Sequence, residues 1–213
     1  MIPMMCAALL LAAEWQSSFN VNRANLGVEG SNPYFPLTPG LKTHYSDGKT
    51  TIVRSVLAET KTVDGIETRV VEDRESKSGQ LVEVARDYYA IDRTTGDVYY
   101  FGEDVDMYSG GKIKSHEGAW LSGVKGARFG LMMPGTLKTG QRFMQENAPG
   151  VAMDRAEVAA MGATVTTPAG TFRDCVEMKE SSAIEGGSES KWYAPGAGMV
   201  KEGKLLLVRI EKP

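Results

Sequence analysis

"THYSDGKTTIVRSVLAETKTVDGIETRVVEDRESKSGQLVEVARDYYAIDRTTGDVYYFG", residues 43–102, decides the fold. Four turn signals punctuate it: Asp47-Gly48, Asp64-Gly65, Ser78-Gly79 and Thr95-Gly96. Each glycine can supply the positive φ that a tight hairpin needs. Their spacing of roughly 15 residues predicts long antiparallel strands joined as a meander.

Downstream, the same style continues in shorter pieces. "PGTLKTGQRFMQENAPG", residues 134–150, turns around Gly135, Gly140 and Gly150. Residues 151–181 read as strand, turn, strand, turn at Pro168-Ala169-Gly170, strand. Within them, residues 153–161 do not decide between a strand and a short helix. Residues 189–213 end the chain with two strands around Glu202-Gly203.

Upstream, "GVEGSNPYFPLTPG", residues 27–40, has no helical period and predicts an extended lead-in packed through Tyr34, Phe35 and Leu37. The 213 residues include 24 Gly and 9 Pro, which favours an all-β chain over a helical one. No repeat or low-complexity linker divides it. The expected organisation is residues 1–13 as a signal peptide, 14–40 as the lead-in and 41–213 as one β-rich domain. The expected fold is all-β and antiparallel, a strongly curved sheet or incomplete β-barrel with little helix.

The signal reading rests on the uncharged apolar run at residues 4–13, too short to span a bilayer at ~20 residues. A buried N-terminal helix is the alternative. Export predicts a periplasmic or secreted protein; membrane association stays open. With residues 1–13 removed, Cys175 is the one cysteine left, and "FRDCVEM" reads as a strand carrying a buried thiol.

Charge and motifs exclude several classes. The net charge is −3, with no basic block, so no nucleic-acid partner is expected. His44 and His116 have no neighbours at metal-ligand spacing, which argues against zinc or iron. No G-x-S-x-G elbow marks a nucleophile, and "GVKGARFG" lacks the P-loop lysine pattern.

Two candidate sites remain. In the first, Asp92 pairs with Asp97 across a four-residue turn, which places Arg86 opposite Glu103, Ala85 opposite Asp104 and Glu83 opposite Asp106. A second turn at Gly110-Gly111 brings Ser115 to Asp106 and Glu117 to Asp104. One sheet face then holds Glu83, Asp87, Asp104, Asp106 and Glu117, while Glu103 is explained by its ion pair with Arg86. Such a face is solvated, paired with a base from elsewhere or neutralised by a hard cation; Ca²⁺ would suit, although the spacing is not that of an EF-hand. A slip of one residue in either strand would scatter it.

In the second, Trp120, Phe129, Met132 and Phe143 lie on strands of the second half. They either close the core or line a pocket for an apolar or amphipathic small molecule.

The segments "NPYFPLTPG", "RDYYAIDRTTGDVYYFGED", "GAWLSGVKGARFGLMMPG", "VTTPAGTFRDC" and "KWYAPGAGMVKE" together resemble bacterial exported proteins related to the DUF3108 and TapB-like families. The resemblance implies an exported β-rich fold similar to lipoprotein carriers and transfers no catalytic residue. Tyr88 and Ile91 stand where relatives tend to have Trp and Gln. Three functions follow: an extracytoplasmic, non-enzymatic ligand-binding module, a Ca²⁺-stabilised envelope protein, or a hydrolase that would need a polar cleft with convergent acids.

Overall fold

A computed structural model describes residues 14–213. The signal-peptide reading of residues 1–13 lies outside them. Apart from one 3-10 turn at Arg23–Asn25, the regular structure described is all strand.

The meander forms as its turns predict. β1 (Leu26–Gly27) is a short addition to the far end of β5. β2 (Lys42–Ser46), β3 (Thr50–Val63), β4 (Ile66–Lys77), β5 (Gln80–Asp92) and β6 (Val98–Ser109) follow in antiparallel order. Asp64 and Gly65 have φ of 48° and 71°, and Ser78 and Gly79 of 50° and 78°. Two successive positive φ values suit the twist of a two-residue hairpin loop. The expected Gly110-Gly111 turn also forms, pairing Ser109 with Lys112.

β7 (Lys112–Ser115), β8 (Trp120–Leu121) and β9 (Arg128–Met133) share the outer edge of β6. β10 (Arg142–Met144) and β11 (Glu146–Asn147) are two halves of one short segment. β12 (Asp154–Thr167) and β13 (Gly170–Ser182) form a long bulged hairpin, so residues 154–161 resolve as strand. β14 (Glu189–Ala194), β15 (Gly198–Glu202) and β16 (Leu205–Glu211) lead back to β2.

The sheet curls into a nearly closed antiparallel barrel. Its seam is spanned by residues 142–147, whose first half pairs with β12 and whose second half pairs with β9. The chain at Gln16 joins this segment, exchanging backbone hydrogen bonds with Arg142 and Met144.

The two ends of the barrel differ. Residues 27–40 cross one end, from the β5–β6 turn to the β14–β15 turn. Asn32 donates to the carbonyls of Gly96 and Pro134, and Pro33 accepts from the Gly196 amide. Phe35 and Leu37 are buried, and the Phe35 ring meets Tyr89 edge-on at 4.9 Å. This lead-in plugs its end with apolar side chains, continuous with the core of Tyr45, Val56, Val71, Tyr193 and Leu207. The other end, marked by the β2–β3, β4–β5 and β15–β16 turns, is left open.

β6 carries a bulge that repositions everything beyond it. Tyr89 pairs with Tyr100, but Asp87 pairs with Glu103, so β6 has one extra residue between the two pairs. Gly102 sits there with φ of 122°, and a Cβ on it would run into the Trp120 carbonyl oxygen. An isolated glycine in a strand serves both needs, the unusual backbone angle and the close approach of β8.

Candidate functional site

The bulge changes which acids meet. Upstream of Asp87 on β5, the register is one residue off the expected pairing: Arg86 faces Asp104, Val84 faces Asp106 and Glu83 faces Met107. The five acids of the expected face therefore separate. Glu83 and Asp87 turn into the open end of the barrel. Asp104 lies outside, where Lys61 and the Tyr88 hydroxyl donate to its Oδ2 at 2.8 and 2.6 Å. Asp106 pairs with Arg86 at 3.3 Å and His116 at 3.0 Å, and Glu117 is exposed beyond the end of β7. The expected Arg86–Glu103 pair does not form, because Arg86 bonds Glu72 and Asp106 instead. No group of three or more His, Cys, Asp or Glu among the described residues is placed to hold a metal ion.

The second expected site is also not assembled as one pocket. Phe143 is fully buried, Phe129 stacks on Phe101 at 4.9 Å, and Trp120 meets Tyr100 edge-on at 5.4 Å. Only Met132 of the four reaches the open end. An apolar hollow does lie behind the lead-in, but its volume of about 30 Å³ is far too small for a lipid chain.

The barrel instead opens into a polar cleft of about 380 Å³. Period-2 alternation builds its walls: Asp73 and Glu75 on β4 face inward beside Glu83, Ala85, Asp87 and Tyr89 on β5. The bulge adds Glu103, the seam adds Gln145 and Glu146, and β12 to β15 add Asp154, Glu180, Lys191 and Glu202. Four tyrosines and the side chains of Ile52, Met132 and Met199 supply the less polar surface.

Nine carboxylates face two cations there, and both cations are already engaged. Arg54 grips Asp73 through two nitrogens at 2.6 and 2.9 Å. Lys191 bridges Glu180 at 2.8 Å and Glu202 at 3.0 Å. Glu75 reaches Lys77 on the rim at 2.9 Å. Among the described residues, Glu83, Asp87, Glu103, Glu146 and Asp154 make no ion pair.

Burial without a counter-charge favours the protonated form of an acid. Burial, with Asp73 nearby, pushes the Asp87 carboxyl up to about 7, even though Tyr89 and Tyr100 each donate to one of its oxygens at 3.0 and 3.1 Å. Glu103, buried beside Asp87 and Glu146, is pushed up to about 10. Glu146, buried near Asp154 and Asp87, rises to about 8. The indole N–H of Trp120 favours the ionised form of Glu146, yet it is buried without a hydrogen bond of normal geometry. Glu83 is raised by burial and by Glu75 and Asp73.

At the mouth, a second hollow lined by residues 180–182 and 185–189 shares Asp154, Glu180, Lys191 and Glu202 with the cleft. It adds Glu185 and Glu189, so the acidic lining continues outward.

Neither a family model nor a curated protein matches this chain. The fold is similar to a crystal structure from Parabacteroides distasonis described as a candidate lipoprotein, at 12% identity and a TM-score of 0.41, covering 86% of this chain and 100% of that one. At that TM-score the likeness carries no argument, and membership of the DUF3108 and TapB-like families is not shown.

Proposed function

We propose that this protein is an extracytoplasmic binding module that takes an amphipathic organic cation, an amine or guanidine on an apolar body, into the open end of its barrel. The observation that carries this reading is the set of five inward carboxyl groups inside a walled cleft that make no ion pair among the described residues. A ligand cation would supply the counter-charge they lack, and buried charge pairing of that kind is strong where water is excluded. The tyrosine rings favour a cation by their faces, and Ile52, Met132 and Met199 give its apolar part somewhere to rest. Support for export comes from the apolar run at residues 4–13.

Calorimetric titration with three probes of similar chain length tests it: hexylguanidinium, hexanoate and hexanol. Saturable binding of the guanidinium alone is the expected result. Equal binding of all three, or of none, overturns the reading.

A second reading has one observation in its favour. Asp87 near neutrality beside the more basic Glu103 and Glu146 is a polar cleft with convergent acids, the condition a hydrolase on this scaffold requires. Turnover of a glycoside or ester that disappears in Asp87→Asn would put this reading first.

A further inference from the structure

The donors around the acids of the cleft are set for ionised carboxylates, while the two cations that line it, Arg54 and Lys191, are paired with other acids. Both oxygens of Asp87 are already accepting from tyrosine hydroxyls, the arrangement of a carboxylate anion. Trp120 is buried at 6% exposure, and its N–H is aimed at Glu146 with no bond completed. A buried donor left unpaired is costly, and an anionic acceptor would satisfy it. Asp87 and Glu103, directly opposite each other, cannot both ionise cheaply without a cation between or beside them.

We infer that the cleft exchanges protons for its ligand: an organic cation entering against Asp87, Glu103 and Glu146 expels protons from these carboxyl groups to solvent. This inference rests on the proposed function and adds how the site is regulated. Each exchange conserves charge, since one positive charge enters the lumen for each proton that leaves it.

The surrounding groups bear on the exchange from every wall. Asp87 is faced by Glu83 and Tyr89 on its own strand and by Tyr100 and Glu103 on β6. Asp73 on β4, Arg54 on β3 and Glu146 on the seam also act on it. Glu146 is faced by Asp154 on β12, Lys191 on β14 and Trp120 on β8. Arg54 and Lys191 are committed to Asp73, Glu180 and Glu202, so neither is free to replace the protons. Raised carboxyl pKa values in this set place the exchange in the neutral to alkaline range.

The test is hexylguanidinium titrated calorimetrically at pH 6, 7, 8 and 9, each in two buffers of different ionisation enthalpy. The guanidinium keeps its charge throughout, so every proton counted comes from the protein. The expected result is release of roughly one proton per ligand and a gain in affinity of up to ~tenfold per pH unit, as proton linkage requires. Binding without proton release overturns the exchange but leaves the cation reading intact. Absence of binding overturns both.

Glu146→Gln, shown to be folded by its sheet circular dichroism, should release fewer protons than the parent. Equal release would overturn the part assigned to Glu146. Glu117→Gln, outside the cleft, should behave as the parent does, and a changed proton count there would also overturn the assignment.

Discussion

Asp87 and Glu103 stand directly opposite each other across β5 and β6, two carboxyl groups facing into one cleft with no ion pair to either among the described residues. Like charges in that position destabilise a sheet, so burial and mutual repulsion favour a proton on the pair. The pair links the shape of the barrel to its chemistry.

Stability should fall as pH rises. A carboxyl group whose folded-state pKa is raised keeps its proton while the unfolded chain gives it up. Its contribution is therefore complete below the unfolded value near 4 and lost as pH climbs through the folded value. For Asp87, Glu146 and Glu103 the window runs from there to about 7, about 8 and about 10. Asp104, lowered through Lys61 and Tyr88 against the effect of its own burial, acts in the opposite sense at the acid end, so the optimum lies near pH 4–5. Thermal melts from pH 4 to 10 should show a decline worth on the order of several kcal/mol, reduced in Glu103→Gln. A flat profile, or the same decline in the variant, would remove the Asp87–Glu103 pair as its cause.

Gly102→Ala should be among the costliest single-methyl changes in the chain. The added Cβ would meet the backbone of Trp120, which cannot rotate away, and φ of 122° disfavours any side chain. A loss of about 2–4 kcal/mol in urea denaturation is expected, since either β8 or the bulge must shift. A change under about 0.5 kcal/mol would mean the bulge tolerates relocation.

Lys191→Met should destabilise the fold, and more than Lys77→Met on the rim does. It strips the shared cation from Glu180 and Glu202, which are then left facing other acids. Breaking a largely buried pair from one side costs about 2–4 kcal/mol, because the acids left behind lose the charge that offsets their burial. Chemical denaturation of the two variants reads the difference, since Lys77 is 63% exposed and Lys191 24%, and equal losses would contradict it.

Calcium should not act through the outer acids. Asp104 and Asp106 already bond Lys61, Tyr88, Arg86 and His116, and Glu117 stands apart. Any Ca²⁺-induced rise in melting temperature should be the same in the parent and in an Asp104→Asn, Asp106→Asn, Glu117→Gln triple variant. A rise present in the parent and missing in the triple variant would restore the outer face as a cation site.

The hairpins were legible because their turn residues act locally: Asp64-Gly65, Ser78-Gly79 and Gly110-Gly111 need only their own φ values to reverse the chain. The cleft was legible only in part. Period-2 alternation places Glu83 and Asp87 on one face, but which residues of β6 join them depends on the bulge at Gly102. That glycine is visible in the sequence as a lone glycine inside a strand, a signal of a bulge. One residue of offset exchanged Asp104 for Glu103, and with it the outside for the inside. Glu146, Glu180 and Lys191 were not legible, because the curl of the whole sheet and the seam at residues 142–147 bring them to β5. Those contacts depend on long-range closure, which no local pattern encodes.

The lead-in across the far end makes the barrel a cul-de-sac. A molecule that enters the lumen has to turn back through the doorway it came by, so arrival and departure compete for the same passage. Such a vessel can hold a cargo or hand it over, but it cannot conduct one from end to end. A bulky group fixed at residues 185–189 would then slow loading and unloading alike, leaving the resting affinity nearly untouched.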